Sequence, residues 1–167
     1  MRDKIWIFLC DTQYKTFILT YIVDKFQKRE RNINIILAIA SSTSIGAWAL
    51  WKQFPFLWSG IIVSSQVLAA IKSYLPYNKY VKEINLKLLR VEYTNIELEQ
   101  LFYNLDYNIT NENDASISYF KIKKNLTDTL NFSDEIIFNV AESIKKKAKD
   151  DMSNFLKSNY NIQNNNA

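Results

Sequence analysis

The sequence predicts an all-α protein: a transmembrane helical hairpin between an amphipathic N-terminal helix and long C-terminal cytosolic helices. Three observations predict this class. Only two Gly and two Pro occur in 167 residues, too few for the frequent turns of a sandwich or barrel. Between residues 33 and 71 the only ionisable side chain is Lys52. Beyond that stretch, apolar residues recur at helical spacing.

Composition excludes many kinds of catalytic site. The chain has no His and a single Cys, Cys10, so zinc sites, Cys–His and Ser–His–Asp systems and disulfides are excluded within one chain. No paired carboxylates, metal cluster or phosphate-binding loop stands out. We therefore expect no enzyme activity, no catalytic or metal-binding residues and no cofactor. A net charge of +4 is too small to indicate specific nucleic-acid binding.

The first predicted domain is an amphipathic cytosolic helix over residues 1–32. Its apolar residues recur roughly every three to four positions, and charged residues form the wet face. Two interpretations are open: the helix lies on the inner membrane surface, or it packs on the C-terminal helices. Acidic residues interrupt the basic face, which favours packing. The apolar residues are Ile7, Cys10, Tyr14, Phe17, Ile18, Tyr21 and Phe26.

The second predicted domain, residues 33–72, is a two-helix transmembrane hairpin. Its spans cover about 33–51 and 54–71, and the first has 19 residues without a charge. At 1.5 Å per residue that span is roughly 28 Å long, close to the thickness of the hydrocarbon core. Lys52 and Gln53 leave room only for a tight turn, and Pro55 fits the first turn of the second helix. A hairpin buried inside a soluble helical protein is the alternative.

The flanking charges predict the orientation of the hairpin. Four basic residues precede the first span and three follow the second, whereas only Lys52 lies at the tip. The positive-inside rule then places both termini in the cytoplasm, as expected for a multi-pass protein of the cell membrane. The flanking basic residues are Lys25, Lys28, Arg29, Arg31, Lys72, Lys79 and Lys82.

Polar residues within the spans are the candidate functional side chains of the hairpin. Small hydroxyl residues favour close helix packing, but an oligomer of hairpins could also line a pore with them. Gln66 is the exception, because an amide in the middle of a span needs a partner, which self-association supplies. The candidate pore-lining or helix-packing residues are Asn34, Ser41, Ser44, Ser59 and Gln66.

The third predicted domain, residues 73–158, is a cytosolic helical region with a break near 106–118. Its first helix carries a heptad-spaced seam in which Asn95 is the polar member, and such a residue can fix register. Packing inside a bundle or a short intramolecular coiled coil is slightly favoured over a free oligomerising stalk. The candidate oligomer seam is Ile84, Leu88, Val91, Asn95, Leu98, Phe102 and Leu105.

A second helical region is predicted from about Tyr119 to Tyr160, with a break near Asn131 and a cap at Ser133. Heptad-like spacing continues through Ile137, Ala141, Ile144, Ala148 and Phe155. The basic patch at Lys145, Lys146, Lys147 and Lys149 is either a solvated face or a surface for anionic lipid or a nucleotide ligand. We expect the tail, 159–167, to be disordered.

The order of these elements resembles the SLATT family, bacterial two-transmembrane proteins associated with nucleotide-signalling antiviral systems. The resemblance covers roughly residues 3–158 and depends on the Arg29-Glu30-Arg31-Asn32 junction, the very short link between the spans and the helix that resumes at Tyr77. It implies an effector that oligomerises in the bacterial inner membrane and forms a pore or disrupts the membrane, in antiphage defence by cell death or growth arrest. The implied partners are the lipid bilayer, further copies of the chain and a nucleotidyltransferase or sensor protein.

Two alternatives to the effector are kept. The first is a non-conducting, membrane-tethered scaffold that recruits a cytosolic partner. The second is a holin-like lysis protein, which ranks lower because holins rarely need so much cytosolic helix.

Overall fold

The computed structural model describes residues 1–42, 55–74, 77–131 and 140–160. Within these ranges the chain forms five helices and no strand, which confirms the all-α prediction. The helices are α1 (Arg2–Ser42), α2 (Pro55–Tyr74), α3 (Tyr77–Asp106), α4 (Glu112–Thr129) and α5 (Glu142–Tyr160).

The chain divides into two compact units. We call Met1–Val23 with Lys82–Ala167 the bundle unit, and Asp24–Val81 the hairpin unit. The hairpin unit begins earlier and ends later than the predicted hairpin, 33–72. One reason is a contact outside the apolar spans, where the rings of Phe26 and Tyr80 lie 6.3 Å apart.

In the bundle unit, α1 and α3 pack antiparallel. Near one end, Arg2 forms an ion pair of 2.9 Å with Asp106, and the ring of Trp6 lies 5.5 Å from that of Phe102. Further along, the side chain of Asn95 reaches that of Gln13. Apolar side chains close the space between these contacts, and the cluster extends onto α4. Its buried members are Ile5, Leu9, Leu98, Leu101, Ala115, Tyr119 and Ile122.

The first part of α1 contacts all three C-terminal helices. Its Phe8 ring lies 5.6 Å from Tyr119 of α4, and its Phe17 ring lies 6.4 Å from Phe155 of α5. Near the end of α5, the Tyr160 ring meets Trp6 edge to face at 4.7 Å. For this helix, the structure therefore shows packing against protein, the second of the two interpretations given above.

The connection between α3 and α4 is much shorter than the predicted break at 106–118. The helix α3 ends at Asp106, and α4 begins at Glu112. Asn108 takes a positive φ of 56°, a conformation that Asn tolerates better than most residues. Asn111 then caps α4, since its Oδ1 accepts a hydrogen bond of 2.9 Å from the backbone N–H of Asp114. Two of the asparagines that suggested a long loop thus form a tight turn and a helix cap.

The C-terminal helix begins at Glu142, and its residues Ala148 and Met152 are buried in the bundle unit. The predicted cap at Ser133 and Ile137, the first residue of the predicted heptad-like spacing, lie outside the described residues. At the other end, Asn159 and Tyr160 still belong to α5, so the helix runs two residues into the segment predicted as a disordered tail. The rest of that segment, 161–167, is outside the described residues.

Candidate membrane hairpin and assembly surfaces

The described helices of the hairpin unit run antiparallel. Lys72 of α2 donates a hydrogen bond of 2.6 Å to Oδ1 of Asn34 in α1. Phe26 lies eight residues before Asn34 and Tyr80 eight residues after Lys72, and the centres of their rings are 6.3 Å apart. Both pairs are centred on position 53, where the sequence has its two-residue polar break, Lys52-Gln53.

Apolar side chains of the hairpin unit are exposed along both helices. In α2 the described side chains from 59 to 72 are exposed except for Ser65 and Leu68, which are half-buried. These two lie one turn apart, so a single narrow face of α2 is covered. The exposed apolar residues of the unit are Ile35, Ile36, Ile39, Phe56, Ile61, Ile62, Val63, Val67 and Ile71.

None of the helices that the structure describes combines the length and the apolarity required to cross a membrane.

The predicted polar residues of the spans fall into three groups. Asn34 bonds Lys72 at the end of the hairpin unit far from position 53. Ser59 and Gln66 are both exposed, and at about 100° per residue they share a face that points away from Ser65 and Leu68. Ser44 lies outside the described residues, as does the side chain of Ser41.

All seven residues of the predicted seam face the interior of the chain's own bundle. Ile84, Val91 and Leu98 have no exposed surface, and Asn95 is also buried. The remaining three, Leu88, Phe102 and Leu105, are half-buried. The structure thus shows intramolecular contacts for this seam, which is the bundle alternative of the sequence analysis.

Asn95 forms a polar layer with α1 in the middle of the bundle. Its Nδ2 donates to Oε1 of Gln13 at 2.8 Å and to Oγ1 of Thr16 at 3.1 Å. The Thr16 hydroxyl donates in turn to the backbone carbonyl of Thr12 at 3.1 Å. The Oδ1 of Asn95 is buried and has no hydrogen-bond partner, a state that costs roughly 1–3 kcal/mol.

The basic patch on α5 is partly paired with other groups. Lys145 bonds Glu142 at 2.7 Å, and this hydrogen bond raises the pKa of the lysine. The ammonium of Lys147 lies 4.3 Å from the centre of the Tyr21 ring, and the Tyr21 hydroxyl donates to Asp151. Lys146 and Lys149 are exposed. Of the four lysines, Lys147 thus contacts α1, whereas Lys145 is paired within α5.

Burial perturbs two titratable groups at the same end of the bundle. Partial burial raises the pKa of the Cys10 thiol, so the reactive thiolate is disfavoured. Partial burial also raises the pKa of Tyr160, and the nearby Glu99 carboxylate, 3.4 Å from the phenol oxygen, adds to the effect. Across the described ranges, no group of three or more Cys, Asp or Glu side chains is arranged to hold a metal ion.

Sequence reasoning missed a second apolar row on α3, which we call the outer stripe. It consists of Leu86, Leu89, Tyr93, Ile96, Gln100 and Tyr103. All six side chains are exposed, and the apolar members are 49% to 59% accessible. The sequence does contain this row, as apolar residues at alternating spacings of three and four. The seam on the opposite face has the same spacing and was by itself sufficient to predict a helix, so the second row was not noticed.

Comparison with protein-family models, curated proteins and solved structures gives no match. The resemblance to the SLATT family therefore depends on the order of elements and the junction residues alone.

Proposed function

We propose that this chain is a membrane effector. Its hairpin unit inserts into the bacterial inner membrane with both termini in the cytoplasm, and several copies assemble to form a pore or disrupt the bilayer. The observation that carries the proposal is the exposure of apolar side chains around α2, where Val63 and Val67 are 61% and 51% accessible. Such a helix needs an apolar environment from outside the chain.

A bilayer fits this surface for two reasons. The exposed apolar residues occupy both helices of an antiparallel pair, so they surround the pair instead of forming one docking patch. The pair also ends in polar groups at the height of Asn34 and Lys72. A lysine at the end of a span can extend its ammonium to the lipid headgroups while its stem stays in apolar surroundings.

Assembly is supported by residues on the exposed faces of α2. Gln66 would place an amide within the hydrocarbon, where a partner from another copy removes the cost of leaving it unpaired. Around Gly60, a Cβ atom would meet nothing within 4 Å, so this face of the helix is open to a close neighbour. Small residues at such positions let helix backbones approach each other in membranes.

The proposed biological role is antiphage defence by cell death or growth arrest, as the family resemblance implies. The bundle unit would be the cytosolic part that receives the signal. Its partner would be a nucleotidyltransferase or another sensor protein, which the family resemblance implies.

Dye release from lipid vesicles tests the permeabilising activity. The full chain is reconstituted into vesicles of phosphatidylethanolamine and phosphatidylglycerol that contain a self-quenching dye, and release is measured against the protein-to-lipid ratio. We expect release to rise more steeply than linearly. Gln66→Leu should lower it several-fold, whereas the neighbouring Val67→Leu serves as the matched control and should leave it unchanged. Vesicles that bind the chain and stay sealed at every ratio would contradict a pore.

A membrane-tethered scaffold is the second candidate. It is favoured by the packing of the bundle unit, in which α1, α3 and α4 share one buried cluster, α5 packs on α1, and outer faces remain for a partner. A scaffold predicts membrane insertion and stable complexes without dye release. The vesicle experiment therefore separates the two functions.

A further inference from the structure

The outer stripe makes α3 a helix with two apolar faces. Successive helical residues turn by about 100°, which places the centre of the stripe roughly opposite the seam. The seam is covered by α1, as the hydrogen bonds of Asn95 show. The stripe keeps six consecutive members exposed, with Leu86 and Tyr93 at 58% and 59%. Asp128 and Thr129 at the end of α4 border the part of the stripe from Leu86 to Tyr93, yet all six side chains stay exposed.

We propose that the outer stripe is a homodimer interface, in which α3 pairs with α3 of a second copy as a short parallel coiled coil. The spacing of three and four is maintained from Leu86 to Tyr103. That repeat is self-complementary, because side chains spaced every 3.5 residues on one helix fit between those of an equal helix. The proposal goes beyond permeabilisation and holds whether or not the hairpin unit conducts.

The available area suits a modest dimer. The five apolar members of the stripe are each about half exposed or more, between 49% and 59%. With roughly 200 Å² for each large side chain, the stripe offers on the order of 600 Å² per copy. Two copies would bury about 1,200 Å², at the lower end for specific interfaces. We therefore expect a dimer that dissociates on dilution.

The position of Gln100 favours the parallel arrangement. In a parallel pair each residue meets its own counterpart, so the two Gln100 amides can bond each other. In an antiparallel pair Leu86 faces Tyr103, and each Gln100 would face Leu89 and lose its partner. An unpaired buried amide costs roughly 1–3 kcal/mol, and the antiparallel pair would have two.

Charges beside the stripe oppose this arrangement, but weakly. A parallel pair brings Glu92 of one copy near Glu97 of the other, whereas an antiparallel pair would bring Arg90 near Glu97. All three side chains are exposed. Pairs of exposed charges contribute about 0–1 kcal/mol each, less than the two unpaired amides. The parallel dimer therefore remains the more stable arrangement. A substitution at Glu97 should affect the two orientations in opposite directions, so it can distinguish them.

The first experiment measures the mass of the full chain in detergent micelles by sedimentation over a range of concentrations. We expect a monomer–dimer equilibrium. Ile96→Asp should raise the dissociation constant at least tenfold, because it places a charge in the middle of the stripe. Ile117→Asp on α4 is the matched control: Ile117 is 69% exposed, against 59% for Ile96, and lies outside the stripe. Equal masses for both variants and the parent chain would overturn the proposal, even if vesicles leak.

The second experiment tests the orientation. In a Cys10→Ser background, Leu86→Cys should form an intermolecular disulfide under mild oxidation, while Ile117→Cys should not. In an antiparallel pair the two copies of residue 86 would lie about 25 Å apart, and only a double variant with Tyr103→Cys would link. Glu97→Lys should tighten a parallel dimer severalfold and weaken an antiparallel one. A link that requires both cysteines, or weaker association of Glu97→Lys, would overturn the parallel pairing.

Discussion

The two units of this chain use apolar residues in opposite ways. All fifteen buried hydrophobic residues of the described chain lie in the bundle unit. The hairpin unit contains the stretch 33–71, where Lys52 is the only ionisable residue, yet none of the unit's described side chains is buried. Apolar content therefore does not predict an internal core. What matters is the number of neighbouring helices, since a pair of helices covers only one narrow face of each.

In the bundle unit, each helix has enough neighbouring helices to bury apolar side chains completely. Its first helix contacts three others, and the side chains of Ile5 and Leu98 are completely buried in this packing. In the hairpin unit the corresponding contact leaves Ser65 and Leu68 only half-buried. We infer that the first unit is stabilised by its own chain and the second by what surrounds it. The predictions that follow test whether the two units are stabilised in these different ways.

The largest effect is expected from a cavity in the bundle unit. Leu98 has no exposed surface, so Leu98→Ala should cost about 2–5 kcal/mol of unfolding free energy. Val67→Ala, at a side chain that is 51% exposed in the hairpin unit, should cost far less in detergent. Hydrogen exchange read peptide by peptide measures both. Faster exchange in the bundle peptides of Leu98→Ala alone is the expected result, and equal acceleration in both variants would contradict two separately stabilised units.

The next effect concerns membrane insertion of the hairpin unit. Val63→Arg places a charge on an exposed position of α2 and should disfavour insertion by about 2.5–3.5 kcal/mol, if that position lies near the bilayer centre. Phe120→Arg is the control, since Phe120 is 60% exposed in the bundle unit. Flotation of the full chain with vesicles measures the bound fraction. Unchanged flotation of Val63→Arg would show that lipid does not cover α2.

Much of the fold follows from the sequence because helical spacing is a local signal. The seam from Ile84 to Leu105 could be identified from its period alone, and the structure places every member inward. Which partner the seam packs against is not local. The contact of Asn95 with Gln13 joins residues that are 82 positions apart, and no spacing rule encodes it.

The turn and the outer stripe were missed for different physical reasons. A cluster of polar residues is typical of a loop, yet Asn111 uses its side chain to start a helix within that cluster. The stripe was overlooked because an apolar face was already assigned to α3. A helix with two apolar faces looks unusual only when one face is known to be covered, which requires the structure.

A smaller effect is expected at the polar layer of the bundle. Asn95 bonds two side chains but leaves its own Oδ1 buried without a partner. Asn95→Leu removes that unpaired atom, while the half-buried Gln13 can turn to water and Thr16 keeps its bond to the Thr12 carbonyl. We therefore expect unfolding free energy within about 1 kcal/mol of the parent chain. Asn95→Asp should instead destabilise strongly, because it buries a charge. Urea unfolding followed by circular dichroism compares the two, and a large loss for Asn95→Leu would mean that the polar layer stabilises the bundle.

The smallest effect separates a helix cap from an ordinary polar side chain. Asn111 accepts a hydrogen bond from the backbone of Asp114, so Asn111→Ala should cost about 1 kcal/mol of unfolding free energy. Asn113→Ala changes the same residue type two positions later, at an exposed site in the first turn of α4. It should raise the unfolding free energy by a few tenths of a kcal/mol at most, because Ala is the better helix former. The difference between the two, measured by urea unfolding, isolates the cap from the loss of an amide. If Asn113→Ala costs as much as Asn111→Ala, the start of α4 is held by its packing on α1 and α3, and the short connection after Asp106 follows from the bundle core instead of from local capping.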